Sequence, residues 1–256
     1  ARKLNHKGFK KSEVIAKGAD FVEYMVATGA PVAGTTGAGG AAPKFLLRED
    51  RDGFFHADGV LDDADTKRCW LIKFPRGNHS SDRDILFAEK IYFDIAADLG
   101  LDTRDPLEWH DDCLFIPRFD RVIKGKNIEY MGLESFYSIT GHAGFGSRFI
   151  HTTYLDAILD YSSDPETDFI EYCLRDLLNQ MMGNTDNHGR NQSMLKTADE
   201  TRLAPLYDFA PMKFDREGIV RSTRWPNEIE EGDFEALSQL LIDDYELDKK
   251  LWIRHL

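Results

Sequence analysis

Nine residues, Gly183 to Asn191 (GNTDNHGRN), place an Asp, a His, an Arg and three Asn directly behind a long apolar segment. Within them Asp186 and Asn191 are separated by four residues, and Asp208 follows seventeen positions after Asn191. Side-chain oxygens of this kind orient hydroxyls and ligate hard divalent cations, which prefer oxygen. Lys73, inside the apolar stretch LIKFP, adds a cation. Phosphoryl transfer needs this set: a carboxylate on the acceptor hydroxyl, a cation on the phosphates and oxygen ligands for magnesium. Most of its catalysis is positioning and charge neutralisation.

Plainer readings stand beside that one. Asn and Asp build turns by bonding their own backbone, although a turn alone would not require the apolar stretch that ends in Asp208. Lys73 is either the phosphate cation or a strand lysine laying its stem along apolar neighbours. Glu89 either holds Lys73 in an ion pair or is a solvated helix carboxylate, and Arg190 either contacts phosphate or is solvated. His188 has no partner at metal-ligand spacing, so it braces the loop and is grouped with the nucleotide-site residues. The glycine-rich stretch Gly29 to Lys44 runs into the apolar Phe45–Leu47. There the backbone N–H groups of Gly39 and Gly40, with the cation of Lys44, could face the β and γ phosphates. Thr35 and Thr36 offer hydroxyls that contact or accept a phosphate.

These residues require particular elements to hold them. Helical spacing with a Ser12 cap predicts a helix to Thr28, stopped by Gly29 and Pro31. Asp52 to Gly59 reads as a hairpin tip, and Cys69 to Pro75 and Cys113 to Arg121 as strands. Asp82 to Leu99 reads as a helix with Leu86, Ile91, Ile95 and Leu99 on one stripe. Asp164 to Met182 is predicted as a helix capped by Asp164, with Pro165 first and Phe169, Cys173, Leu177 and Met181 along one face. QSMLK and LAPLYDF read as short strands flanking the turn TADETR, and Asp233 to Leu256 as helical. The order, strands first and helices second, is α+β. It predicts a β-rich lobe over residues 1–120 with the glycine-rich loop, and a helical lobe over 121–256 with the catalytic loop and the metal-binding Asp.

The composition narrows the partners. A formal charge of −13 repels phosphate backbones, which disfavours direct nucleic-acid binding. Cys69, Cys113 and Cys173 fit neither a zinc site nor a disulfide framework, so reduced thiols and a cytoplasmic location are expected. No apolar run approaches the roughly 18 residues of a membrane span, and no membrane partner is expected.

The stretches GGAAPKFLL, LIKFP, AEKIYFDIAADLGL, IPRFDR, GNTDNHGRNQSML and LAPLYDF, spread from about residue 34 to 212, together resemble the HipA-like serine/threonine kinases. These are toxin components of bacterial toxin–antitoxin systems, with a two-lobed protein-kinase-like fold. The catalytic-loop logic is also similar to that of phosphatidylinositol kinases. The resemblance implies ATP and Mg2+ as cofactors, Asp186 as catalytic base or orienting residue, Asn191 and Asp208 as magnesium ligands and Lys73 as the nucleotide lysine. It puts the interlobe hinge near adenine at Phe119. It also implies a protein substrate such as an aminoacyl-tRNA synthetase, a small DNA-binding antitoxin, and an N-terminal subdomain that a separate protein could supply. Three positions depart from the family pattern: Gly37 stands where members carry a regulatory serine, Ala210 where a glycine follows the Asp-Phe pair, and Pro117 where the hinge often has an acid. Two other functions compete. A silent binding module is disfavoured by the full set Lys73, Asp186, Asn191 and Asp208, and a small-molecule or lipid kinase by the lack of a basic amphipathic segment.

Overall fold

The computed structural model describes residues 7–29, 42–141, 148–226, 229, 232–248, 250 and 252–253. The chain forms two compact units, Ala1–Phe93 with Asp105–Tyr130, and Asp94–Arg104 with Met131–Leu256. The division falls after Tyr130, ten residues beyond the expected boundary at 120. The hairpin between the two positions is tied to the first unit, because the buried Arg48 donates to the Tyr130 hydroxyl at 2.6 Å.

The first unit is built on a five-stranded sheet of order β2-β1-β3-β5-β4. Its strands are β1 (Lys44–Asp50), β2 (Phe55–Ala57), β3 (Thr66–Lys73), β4 (Glu108–His110) and β5 (Cys113–Pro117). Alternation along β1 sends Phe45 and Leu47 inward. They join Phe55, Trp70, Ile72 and Phe115 in a core closed by Phe21 and Met25. Those two come from a helical segment that is broken, against expectation, into α1 (Lys11–Ile15) and α2 (Ala19–Ala27). Lys17 sits at φ +45° and Gly18 caps α2, so the backbone turns there instead of continuing. The hairpin β6 (Arg121–Lys124) and β7 (Asn127–Tyr130) completes the unit.

Helix α3 (Ser80–Asp98) forms where predicted but is rotated relative to the expected stripe. Leu86, Glu89, Phe93 and Ala96 are buried, whereas Phe87, Ile91, Ile95 and Leu99 are exposed. Apolar spacing misjudged this face because a carboxylate, Glu89, is one of the groups that must point inward.

The second unit is mostly helical. Its elements are β8 (Gly132–Ser135), α4 (Phe136–Ile139), β9 (Phe149–Ile150), α5 (His151–Tyr161), α6 (Pro165–Met182), β10 (Ser193–Lys196), β11 (Thr201–Leu203), β12 (Thr223–Arg224) and α7 (Phe234–Tyr245). Helix α6 starts as predicted, with the Asp164 side chain accepting from Thr167 N, and stops at Gly183 in the left-handed region at φ +71°. Phe169, Cys173 and Leu177 are buried, and Met181 is exposed. The core joins them to Tyr154, Leu155 and Ile158 of α5 and to Leu237, Leu240 and Leu241 of α7. The second hairpin is displaced from its expected register: β11 begins inside the expected turn and ends at Leu203. Pro205 offers no N–H to extend the ladder, so LAPLYDF is mostly loop.

A polar cluster is buried inside this unit. Asp176 accepts from Arg221 Nη2 at 2.5 Å and from Trp225 Nε1 and Gln180 Nε2, each at 2.8 Å. His151 stacks on Trp225 with ring centroids 4.5 Å apart, and its Nδ1 lies 2.7 Å from the Tyr172 hydroxyl. Burial, opposed by the pull of Asp176 and aided by the Arg221 charge, brings the imidazole down to about 4. The folded protein therefore resists a proton that the unfolded chain takes near pH 6.5. Stability is complete above that value and is lost as pH falls from 6.5 towards 4, by roughly 3 kcal/mol at ~1.4 kcal/mol per pH unit. Urea unfolding measured through this window should show the slope, and His151→Gln, which carries no charge, should flatten it by about that amount. An unchanged slope would show that other groups govern the acid response.

Candidate active site

Lys73 closes β3 and Glu89 lies two turns into α3. Lys73 Nζ meets Glu89 Oε1 at 2.6 Å, with both residues 4% exposed. A buried ammonium is tolerated only when paired, and removing one member of such a pair costs about 3–5 kcal/mol. The ion-pair reading of Glu89 is therefore the one the structure adopts. Lys44, first residue of β1, is the cross-strand partner of Lys73, so both stems rise from the same face of the sheet. Two ammonium groups on one face favour an anion between or beyond them. Gly39, Gly40, Thr35, Thr36 and Gly37 lie outside the described residues. Phe119 stands half-buried in the turn after β5, between Arg118 and Asp120. That turn is fixed by a two-pronged bond, Arg118 Nε to Asp120 Oδ1 at 2.9 Å and Nη2 to Oδ2 at 2.6 Å. Pro117 ends β5 opposite Trp70.

In the second unit the polar stretch forms a braced loop. Asn184 donates to Asn179 Oδ1 at 2.8 Å, tying the loop to the end of α6, and its Oδ1 accepts the Asp186 N–H at 3.3 Å. Asn191 Nδ2 donates to the Asp186 carbonyl at 2.9 Å. This bond settles the amide's orientation, since only the nitrogen can donate to a carbonyl. It leaves Asn191 Oδ1 with no hydrogen-bond partner among the described residues. His188 Nε2 lies 3.3 Å from Asp186 Oδ1, and its Nδ1 is buried without a hydrogen-bond partner among the described residues. Arg190 lies over the Tyr137 ring at 5.8 Å.

Asp208 is not at the end of a strand, as LAPLYDF suggested, but in a loop at φ +54°. A non-glycine residue in this region stores strain. Its neighbour Tyr207 anchors it: the hydroxyl donates to the Arg190 carbonyl at 2.8 Å and shares a 2.5 Å bond with Ser193 Oγ. Burial raises the Tyr207 hydroxyl pKa, which keeps it a donor. The structure therefore joins Asp186, His188 and Asn191 directly, and ties the chain next to Asp208 to the same loop. Lys44, Lys73, Glu89 and Phe119 are placed in the first unit.

The oxygens fit magnesium. Among the described residues no group of three or more His, Cys, Asp or Glu gathers into a metal cage. A cage is not what magnesium requires, because it is bound through one or two protein oxygens with waters and substrate phosphates completing the octahedron. Asn191 Oδ1 and the Asp208 carboxylate are oxygens of the type such binding uses.

Sequence reasoning passed over four residues that shape this loop: Asn184, Asn187, Gly189 and Tyr207. For Gly189 a signal was present, a glycine inside a polar motif. A β-carbon there would fall inside the contact distance of Tyr154 Oη and of the Tyr137 ring. For Tyr207 no local pattern distinguishes an anchor from a strand aromatic.

The profile of the family described as HipA-like C-terminal domain matches residues 36–246. HipA of Shewanella oneidensis MR-1, solved in a complex with HipB and its operator DNA, is similar with a TM-score of 0.63 at 18% identity, over 86% of this chain and 54% of that one. The Helicobacter pylori proinflammatory kinase CtkA gives a TM-score of 0.44 at 19% identity, over 56% of this chain and 52% of that one. The chain spans about half the length of these solved chains. No curated protein matches the sequence. The HipA likeness shows the α+β, protein-kinase-like fold. No helix among the described residues is long and apolar enough to cross a membrane.

The packing at Gly189 yields a test. Gly189→Ala should destabilise the protein by roughly 1–3 kcal/mol, the usual cost of overpacking, read as a lower urea midpoint with an unchanged slope. A neutral effect would mean that the two tyrosines move aside at no cost.

Proposed function

The chain belongs to the family of HipA-like C-terminal domains, and on that premise we propose that it is an ATP- and magnesium-dependent serine/threonine protein kinase. The observation that carries this reading is the buried Lys73–Glu89 pair, a strand lysine held by a helix carboxylate at 2.6 Å. Burying two charges costs several kcal/mol each before their attraction offsets it, and a lysine fixed in one direction by its partner is what nucleotide phosphates require.

In this reading each residue has one task. Lys73, oriented by Glu89, presents Nζ to the phosphate oxygens, with Lys44 and the glycine-rich loop of Gly39 and Gly40 adding positive potential. The turn of Phe119, held by Arg118 and Asp120, receives the adenine. Asn191 Oδ1 and Asp208 hold magnesium, which when bound neutralises charge on the phosphate oxygens. Asp186, braced by His188, accepts a hydrogen bond from the acceptor serine or threonine and orients its oxygen. As that oxygen bonds to the γ-phosphorus, the bond to the β,γ-bridging oxygen breaks and the hydroxyl proton passes to the Asp186 carboxylate.

The biological setting is proposed from resemblance and from the solved HipA, whose structure includes HipB and operator DNA. The chain would act as a toxin on a translation component such as an aminoacyl-tRNA synthetase. A small DNA-binding antitoxin would neutralise it. A charge of −13 supports DNA contact through such a partner rather than through this chain.

The test is transfer of labelled γ-phosphate from ATP to lysate proteins with magnesium, comparing the protein with Asp186→Asn. The labelled band should weaken by about 10²-fold or more in the variant, the scale of a lost general base, and vanish on chelation of the metal. Equal labelling by both proteins would refute the assigned chemistry.

A further inference from the structure

Asn187 stands between Asp186 and His188, yet its side chain points away from both and into the unit. Its Oδ1 accepts the backbone N–H of Ser222 at 3.0 Å and of Thr223 at 3.2 Å, and its Nδ2 donates to the Thr223 carbonyl at 2.8 Å. Thr223 Oγ1 returns a bond to the Asn187 carbonyl at 2.8 Å. Four hydrogen bonds therefore join the loop to a segment 36 residues further along the chain. Both residues are buried, Asn187 at 7% and Thr223 at 0% exposure. In a dry site such bonds carry more weight than at the surface, and leaving any one unmade is costly.

The segment gripped by Asn187 is itself immobilised from two other sides. Ser222 O accepts from Phe149 N at 2.9 Å, and Thr223 and Arg224 pair in parallel with Phe149 and Ile150. The residues flanking Thr223, Arg221 and Trp225, both reach Asp176 in α6. The chain between Asp208 and Thr223 is thus closed at both ends on one loop, through Tyr207 to the Arg190 carbonyl and through Thr223 to Asn187.

We propose that Asn187 is a positioning residue, through which the segment Arg221–Trp225 sets the orientation of Asp186. Asn187 touches no reacting atom, and it acts by holding the backbone that directly follows the carboxylate. The catalytic part of the proposal rests on the kinase reading, and the structural part does not.

Two variants of one side chain separate the hydrogen bond from the packing. Thr223→Val keeps the shape and loses the hydroxyl, and Thr223→Ser keeps the hydroxyl. Two readouts apply to each: amide hydrogen exchange over residues 184–191, and phosphate transfer with kcat and KM for ATP determined separately. The valine variant should exchange about tenfold faster across the loop and lose about tenfold in kcat, the worth of one buried hydrogen bond, with KM for ATP unchanged. The serine variant should match the parent in both. Should the valine variant not fold, Asn187→Asp replaces the Nδ2 donor with an oxygen facing the Thr223 carbonyl and should show the same two changes. Unchanged exchange in the valine variant, or an equal loss in valine and serine variants, would overturn the proposal. A parent protein that transfers no phosphate would count against the kinase reading alone, because the exchange result still decides whether the clamp governs the loop.

Discussion

A lysine ammonium that is 4% exposed has to be met by a carboxylate, and the first unit is arranged around that requirement. Lys73 ends the central strand β3, flanked by β1 and β5, where its stem contributes apolar contact and only its head needs a partner. Glu89 supplies that partner only if α3 turns one particular face inward. The turn leaves Phe87, Ile91, Ile95 and Leu99 in solvent, which the hydrophobic effect alone would oppose. The face that brings Glu89 to Lys73 also buries Leu86, Phe93 and Ala96, so the ion pair and apolar burial are served by one orientation of the helix.

The second unit solves a different problem, how to hold a polar loop still. Three asparagines divide the work. Asn184 looks back to α6, Asn191 crosses the loop to the Asp186 carbonyl, and Asn187 reaches down to Thr223. Asn184 and Asn187 use an amide's capacity to donate and accept together, whereas Asn191 only donates and leaves its oxygen unengaged among the described residues. The packing beneath is aromatic and close, with Tyr137 and Tyr154 so near Gly189 that no larger residue fits without displacement. Rigidity comes from this packing and from the three amides.

Much of this was legible from spacing. The helix over Pro165–Met182 was readable because its cap, its proline and its terminal glycine are local signals, and local signals survive folding. The braced loop around Asp186 and Asn191 was readable as a turn because Asn and Asp bond nearby backbone groups. What escaped was non-local. The face of α3 depends on a partner sixteen residues away, the Asn187 clamp on one 36 residues away, and no periodicity within either stretch encodes the match. The break at Gly18 and the displaced strand at Thr201–Leu203 escaped for the opposite reason, being backbone choices at single residues, Lys17 and Pro205.

Asp208 joins these threads. At φ +54° its backbone conformation is one that a β-carbon resists, and such a residue persists only where the surroundings determine it. Here they do: Tyr207 is bonded on two sides, Leu206 N is fixed to the Asp102 carbonyl at 2.7 Å, and Phe209 is buried on the other side at 1% exposure. With both neighbours held, the left-handed turn aims the one carboxylate between them. A glycine would adopt the same turn without strain but would bring no oxygen. The strain at Asp208 is therefore held in place by the anchors on either side of it, which the fold supplies to offset it.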